Sequence, residues 1–83
     1  MRARYFAWVR ERVGRAEEEI EAPSHVATVG DLIGWLAGRD EGYAAAFAEP
    51  EAIRVALDRE HVEHDAPLRG AREVAFFPPM TGG

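Results

Sequence analysis

The 83-residue sequence contains no cysteine and no lysine, and its only serine is Ser24. Without cysteine the chain forms no disulfide and offers neither a thiol nucleophile nor a thiolate ligand for a metal. With a single serine, a hydroxyl nucleophile paired with a general base is not indicated either. These absences argue against a stand-alone enzyme, and the lack of disulfides is typical of a protein of the reducing cytoplasm.

Long apolar runs are also absent. Arg10 and Arg12 interrupt the first apolar stretch before it reaches the length of a signal peptide. No stretch approaches the ~20 apolar residues of a membrane span, so we expect no membrane association. The formal net charge of −5 disfavours nucleic acid as a partner. Residues 1–15 nevertheless carry five arginines and one glutamate. This uneven distribution of charge either steers a protein partner or belongs to a solvated surface on which the asymmetry has no function.

The chain has the size of one small domain with a thin core. Alternation over residues 2–9 predicts a first strand, with Phe6 and Trp8 on the face opposite to Tyr5 and Val9. Residues 10–14 predict a turn or one helical turn that stops at Gly14. Residues 16–22 predict a weak strand whose glutamates protect a sheet edge.

The strongest helix signal begins at Thr28. This residue is a suitable N-cap, and Asp31 follows at the spacing of a capping box. The apolar positions then recur with helical spacing, and Gly38 is a suitable C-cap. Those positions are Val29, Leu32, Ile33 and Leu36.

The second half predicts mostly short strands. Residues 43–48 predict a short second helix, residues 53–58 a strand, residues 58–60 a turn and residues 61–62 a return strand. In the loop 67–70, Leu68 is the expected buried residue. Residues 72–77 form the most hydrophobic strand, which we place at the centre of the sheet. The sequence thus predicts an α+β domain in which a mixed five-stranded sheet packs on one main helix.

The two faces of the last strand predict an exposed apolar patch. If Val74 and Phe76 face the helix, Phe77 faces away from it, on the side predicted for Phe6 and Trp8. An exposed patch of this kind usually marks an interface. The alternative is a lining buried beneath residues 43–49.

Residues 78–83 are predicted to be a flexible tail that follows the domain of residues 1–77. Prolines end sheet pairing and hold the chain extended, and glycines leave bare backbone that enters a slot too narrow for a Cβ. Six residues span at most about 20 Å, so the terminal carboxylate could reach into the active site of another protein. The alternatives are a frayed terminus or a cloning remnant. The tail consists of Pro78, Pro79, Met80, Thr81, Gly82 and Gly83.

Residues 61–65 contain the groups most capable of binding a metal. His61, Glu63, His64 and Asp65 lie together there, but their spacing suits a turn and no further histidine cluster supports a site. We therefore predict a solvated loop and no metal.

Several motifs together resemble the molybdopterin synthase small subunit. Residues 6–11 with Val13 and Gly14 are similar to that family's first strand and turn, and Thr28, Val29 and Leu32 to its helix start. Residues 55–58, 65–68 and above all 73–83 are similar to its second half, so the resemblance covers essentially the whole chain. It implies a β-grasp, ubiquitin-like fold whose last strand lies centrally and parallel to the first.

The resemblance also implies a function. The chain would be a non-catalytic sulfur carrier that binds no cofactor itself. An E1-like adenylating enzyme would use ATP to activate Gly83, and a sulfurtransferase system would convert it to a thiocarboxylate. The large synthase subunit would receive residues 78–82 and pass the sulfur to cyclic pyranopterin monophosphate, completing molybdopterin for molybdenum cofactor biosynthesis. The working complex would be a heterotetramer, with a partner interface formed by Phe6, Trp8, His61 and Phe77.

The chain departs from the family pattern at three places. Asp58 stands where asparagine is common, residues 70–72 replace a more acidic turn, and His61 occupies a position that is often apolar and faces the partner. Two alternative functions stay open from the sequence. One is a carrier for thiamine or RNA thiolation, or a protein modifier, although the Phe-Phe-Pro-Pro neck at residues 76–79 disfavours the thiamine type. The other is a non-covalent ubiquitin-like interaction module.

Overall fold

The computed structural model describes residues 1–79. In chain order its elements are β1 (Arg2–Tyr5), α1 (Ala7–Val13), β2 (Glu17–Glu19), α2 (Val29–Ala37), α3 (Glu41–Ala46), a 3-10 turn (Pro50–Ala52), β3 (Arg54–Leu57), β4 (Glu60–Val62) and β5 (Glu73–Phe77). The strands form a five-stranded sheet in the order β2-β1-β5-β3-β4. Strand β5 runs parallel to β1 and antiparallel to β3. The central position of the last strand and the mixed sheet are as predicted.

One face of the sheet packs against the helices. Val74 and Phe76 of β5 are fully buried, as are the four stripe residues of α2, which confirms the predicted facing of the last strand. Phe76 is the centre of an aromatic cluster, since its ring centroid lies 5.7 Å from that of Tyr5 and 5.2 Å from that of Phe47. Burial of such side chains contributes about 1.5–3 kcal/mol each to folding.

The predicted capping box of α2 is present. The Thr28 hydroxyl accepts a hydrogen bond from the Asp31 amide at 3.1 Å, and the Asp31 carboxylate accepts from the Thr28 amide at 3.2 Å. Hydrogen bonds from the backbone amides of Ala27 and Thr28 lower the pKa of Asp31. The helix ends at Gly38, also as predicted.

The N-terminal segment differs from the prediction. Strand β1 ends at Tyr5, and the chain continues as helix α1 instead of extending the strand to residue 9. Phe6 has extended backbone and is the N-cap, while Gly14 ends the helix with a φ of 92° and donates its amide to the Arg10 carbonyl at 2.8 Å. Val9 is buried, as a continued strand would also require. Residues 5 and 9 lie on the same face both in a strand, where the period is two, and in a helix, where they are an i, i+4 pair.

The second half follows the predicted order closely. Asp58 and Arg59 form the two-residue turn between β3 and β4, with φ angles of 47° and 72°. Positive φ at both central residues is the geometry that such tight hairpins prefer. The Asp58 carboxylate also accepts hydrogen bonds from the amides of Arg72 and Glu73, at 2.9 and 3.0 Å, which ties the turn to the start of β5. Leu68 is buried as predicted. Among residues 1–79, no helix is long and apolar enough to cross a membrane.

Candidate protein-docking site

A surface groove of about 530 Å³ lies where β5 ends. Its two sides come from different elements, because β5 lies between β1 and β3 in the sheet. Three of the four predicted interface residues are among those that line it, together with the first two residues of the predicted tail. The lining residues are Phe6, Ala7, Arg54, His61, Phe77, Pro78 and Pro79.

Two stacked phenylalanines form the apolar side of the groove. The Phe6 and Phe77 rings are nearly parallel, 9° apart, with centroids separated by 4.6 Å. Their pairing follows from the parallel register of β1 and β5, in which Tyr5 lies opposite Phe76, so the next residues meet on the outer face. The Phe6 amide donates to the Phe76 carbonyl at 3.1 Å and fixes this register. Both rings stay partly accessible to solvent and are therefore available to a partner.

The chain leaves the sheet at the edge of this groove. Strand pairing ends at Phe77, and Pro78 and Pro79 follow without backbone donors that could extend it. Pro78 is half-buried and Pro79 is exposed. Met80, Thr81, Gly82 and Gly83 lie outside the described residues, so the prediction of a reactive terminus stays a prediction.

Trp8 does not belong to the groove. It lies on α1, half-buried against the core, with the Arg12 guanidinium 4.1 Å from its ring centroid. The predicted grouping of Trp8 with Phe6 on one strand face was wrong, because each helical residue turns about 100° from the last. The spacing of Val9, Val13 and Gly14 is the sequence signal that indicates this helix. A role of Trp8 in partner binding stays a prediction.

Arg54 and His61 form a polar side opposite the phenylalanines. Arg54 pairs with Phe77 across β3 and β5, and His61 pairs with Ala56 across β4 and β3, so both belong to the outer face of the sheet. Both are exposed, and the His61 ring lies 5.7 Å from that of Phe77. Arg54 was not predicted as a site residue, because its place in the groove depends on the register of β3 against β5.

The neighbouring histidine is structural. His64 Nε2 lies 2.8 Å from the Ile53 carbonyl, and the His64 carbonyl accepts the Gly30 amide at 2.8 Å. Residue 64 thereby links β3 to the start of α2, so the prediction of a purely solvated loop was wrong for His64, although His61, Glu63 and Asp65 are exposed. Within residues 1–79 there is no group of three or more acidic or histidine side chains that could hold a metal.

A buried carboxylate lies on the face of the sheet that the helices cover, opposite to the face of the groove. Glu18 of β2 points inward and accepts hydrogen bonds from the hydroxyls of Tyr5, at 2.8 Å, and Tyr43. Arg15 and Arg39 each place a guanidinium nitrogen 3.2 Å from its oxygens. The prediction that every glutamate of this strand protects the sheet edge was wrong for Glu18. Glu18 lies two positions before Ile20, so both side chains point to the same face of a strand. Ile20 is buried, and its position was therefore the sequence signal that Glu18 is buried too.

The network shifts the pKa values of its members. Burial alone would raise the pKa of Glu18, but hydrogen bonds from Tyr43 and Tyr5 and the two arginine charges outweigh burial and lower it. Burial and the hydrogen bond to Glu18 raise the pKa of both tyrosines. The carboxylate is therefore ionised and the phenols are neutral throughout the physiological range, which keeps β2 attached to α3.

Comparison with known proteins identifies relatives over nearly the whole chain. The chain is 38% identical to the molybdopterin synthase sulfur carrier subunit of Escherichia coli over 95% of its own length and 94% of that protein. It is 30% identical to the subunit of the same name from Haemophilus influenzae, with the same coverage.

Solved structures share the fold. A putative molybdopterin converting factor subunit 1 from Pyrococcus furiosus superposes with a TM-score of 0.73 at 31% identity, covering 95% of each chain. SAMP1 from Haloferax volcanii superposes with a TM-score of 0.72 at 25% identity, covering 100% of this chain and 98% of that one. Residues 3–83 match the ThiS family. The central parallel β5, the groove beside its end and these relatives together show that the chain is a β-grasp protein and belongs to the ThiS family.

Proposed function

We propose that the chain is the sulfur carrier subunit of a molybdopterin synthase and acts in molybdenum cofactor biosynthesis. The observation that carries this proposal is the 38% identity to a subunit of that name across 95% of the chain. The groove at the end of β5 supports it, because a docking face beside the exit of the tail is what a carrier of a terminal group requires.

The chemistry would occur at the α-carboxylate of Gly83. A carboxylate oxygen attacks the α-phosphorus of ATP in an E1-like adenylating enzyme, pyrophosphate leaves, and an acyl adenylate forms. Hydrosulfide supplied by a sulfurtransferase system then attacks the acyl carbon and displaces AMP, and loss of the S–H proton leaves a thiocarboxylate. The thiocarboxylate sulfur can attack a carbon of cyclic pyranopterin monophosphate and displace an oxygen substituent there, which forms a thioester. Water then cleaves the acyl–sulfur bond, so that the sulfur stays on the substrate and Gly83 returns to its carboxylate.

The chain itself would supply delivery and recognition and no catalytic group. Anchored centrally in the sheet, β5 fixes the origin of the tail, while Pro78 and Pro79 end the strand pairing. Met80, Thr81 and Gly82 would enter the active site of the large subunit. Phe6, Phe77 and His61 would contact that subunit, with Trp8 at the margin, in a cytoplasmic heterotetramer. ATP would be bound by the activating enzyme and not by this chain.

The activation step has a direct test. The purified chain is incubated with an adenylating enzyme, ATP and a sulfur source, and its intact mass is measured. We expect the mass increase of one sulfur-for-oxygen exchange, located in the C-terminal fragment. A variant that lacks Gly83 keeps the same described domain and should gain nothing. An unchanged wild-type mass, under conditions that charge a known carrier, would contradict the proposal.

A protein modifier is the second candidate. It is favoured by the structural similarity to SAMP1, whose full name is small archaeal modifier protein 1. A modifier forms an amide bond between its activated terminus and a lysine of a target protein. The same incubation with a cell extract separates the two, since a modifier gives covalent conjugates of higher mass, whereas a carrier gives only the thiocarboxylate.

A further inference from the structure

We propose that the large subunit places a carboxylate against Arg54 and His61 when it fills the groove at the end of β5. This inference rests on the proposed function, since it describes the partner of that same site. It goes further by assigning the chemistry of the partner surface and by giving Arg54 a role in recognition.

The geometry forces Arg54 into the interface. Arg54 pairs with Phe77 across β3 and β5, and both residues line one groove. A partner that fills the groove over Phe6 and Phe77 therefore also contacts Arg54, which lines the same groove. Removing a charge from water without a compensating partner is strongly unfavourable. An apolar partner surface alone would thus bind this groove poorly.

The charge of Arg54 is not neutralised within the described part of the chain. None of the ion pairs among residues 1–79 includes Arg54, whereas Arg2, Arg4, Arg15 and Arg39 all have carboxylate partners. Glu51 and Glu63 lie nearby, where they line a second groove of about 270 Å³ together with Arg54 and His61. Neither comes within ion-pair distance of the guanidinium. Arg54 and His61 therefore line both grooves, and both side chains are exposed.

Carboxylate is the group that best complements this pair. A guanidinium binds a carboxylate through two parallel hydrogen bonds, and such charge-assisted bonds are about twice as strong as neutral ones. His61, on the adjacent strand, can donate a further hydrogen bond to the same oxygens. The phosphates of a nucleic acid are a poorer match, because the chain carries a net charge of −5 and the other side of the groove is aromatic.

The test measures binding of the purified chain to its large subunit at low and high salt. Arg54→Gln keeps a polar side chain without the charge, and Arg54→Glu reverses the charge. Arg69→Glu is the matched control, because Arg69 is also exposed and lines a separate groove beside Val26. Thermal unfolding of each variant confirms that the domain is intact.

We expect Arg54→Gln to raise the Kd about tenfold and Arg54→Glu about a hundredfold, both with a weaker salt dependence than the wild type. Arg69→Glu should change the Kd less than about threefold. Arg54→Gln should also be combined with neutral substitutions of acidic residues in the large subunit. We expect one of these substitutions to raise the Kd of the wild-type chain but to leave the Kd of Arg54→Gln unchanged.

Two results would overturn the inference. If wild type binds and Arg54→Glu binds equally well, the guanidinium extends away from the interface; the inference then fails while the proposed function stands. If the wild type itself neither binds the large subunit nor supports molybdopterin formation, the proposed function fails and the inference fails with it.

Discussion

Replacement of Glu18 by alanine is the most informative perturbation of the fold. Glu18 is 9% exposed and is the shared acceptor for the hydroxyls of Tyr5 and Tyr43. Its removal leaves two buried hydroxyls without that partner, and each unsatisfied buried group costs about 1–3 kcal/mol. We therefore expect Glu18→Ala to lower the free energy of unfolding by about 2–6 kcal/mol.

That loss is large for a domain of this size. At about 0.05–0.15 kcal/mol per residue, a chain of this length has a total stability of roughly 4–12 kcal/mol. Urea unfolding followed by the fluorescence of Trp8 and Trp35 measures the change, and Glu17→Ala, on the exposed side of the same strand, should cost less than about 0.5 kcal/mol.

A triple variant tests the reasoning itself. Glu18→Leu combined with Tyr5→Phe and Tyr43→Phe removes the acceptor and both donors together. Replacing the buried acceptor and both buried hydroxyls by apolar groups can be nearly neutral, and the Arg15 and Arg39 side chains are exposed enough to be solvated without Glu18. The triple variant should therefore be more stable than Glu18→Ala. The reasoning would be refuted if Glu18→Ala cost no more than Glu17→Ala, or if the triple variant were the least stable of the set.

Other perturbations have equally definite outcomes. Because the folded-state pKa of Glu18 is lowered from 4.5, its contribution to stability is complete above that pH and is lost as the pH falls through the lowered value. The midpoints of urea unfolding at pH 7 and pH 3 should therefore differ less in Glu18→Gln than in the wild type. Because the pKa of Tyr5 is raised from 10.0, the contribution of Tyr5 to stability is complete below that pH and is lost at more alkaline pH. The loss of stability between neutral and alkaline pH should therefore be smaller in Tyr5→Phe than in the wild type. Ala7 has a φ of 50°, so Ala7→Gly should leave the unfolding free energy unchanged or raise it by up to about 1 kcal/mol, whereas Ala7→Val should lower it by about 1–3 kcal/mol. Phe77→Ala removes half of the ring stack in the groove and should raise the Kd for the large subunit about 30-fold, or about 2 kcal/mol, by calorimetry; an unchanged Kd would exclude this face as the docking site.

The predicted parts of the fold are those with local signals. Thr28 and Asp31 define the start of α2 within four residues, and the hydrophobicity of residues 73–77 indicates a central strand. The end of helix α1 at Gly14 was predicted. Its first turn was missed because Tyr5 and Val9 satisfy both a strand period and a helical period over a short stretch. Only the termination of β1 after Tyr5 decides between them.

The unpredicted parts of the site depend on contacts between distant residues. Glu18 is buried because Tyr43 and Arg39, more than 20 positions away, meet it in space. Arg54 enters the groove because β3 pairs with β5 in one particular register. Strand parity predicted Phe6 and Phe77 on one face and the resemblance predicted His61 at the partner interface, and these three residues line one groove.

The most direct measurement of the central claim is sulfur delivery in a single turnover. The chain is prepared with a thiocarboxylate at Gly83, and it is mixed with the large subunit and cyclic pyranopterin monophosphate without ATP. The account predicts that molybdopterin forms and that the carrier returns to its carboxylate mass as the product appears. A thiocarboxylate that persists unchanged, while that of a known carrier is consumed under the same conditions, would contradict the account.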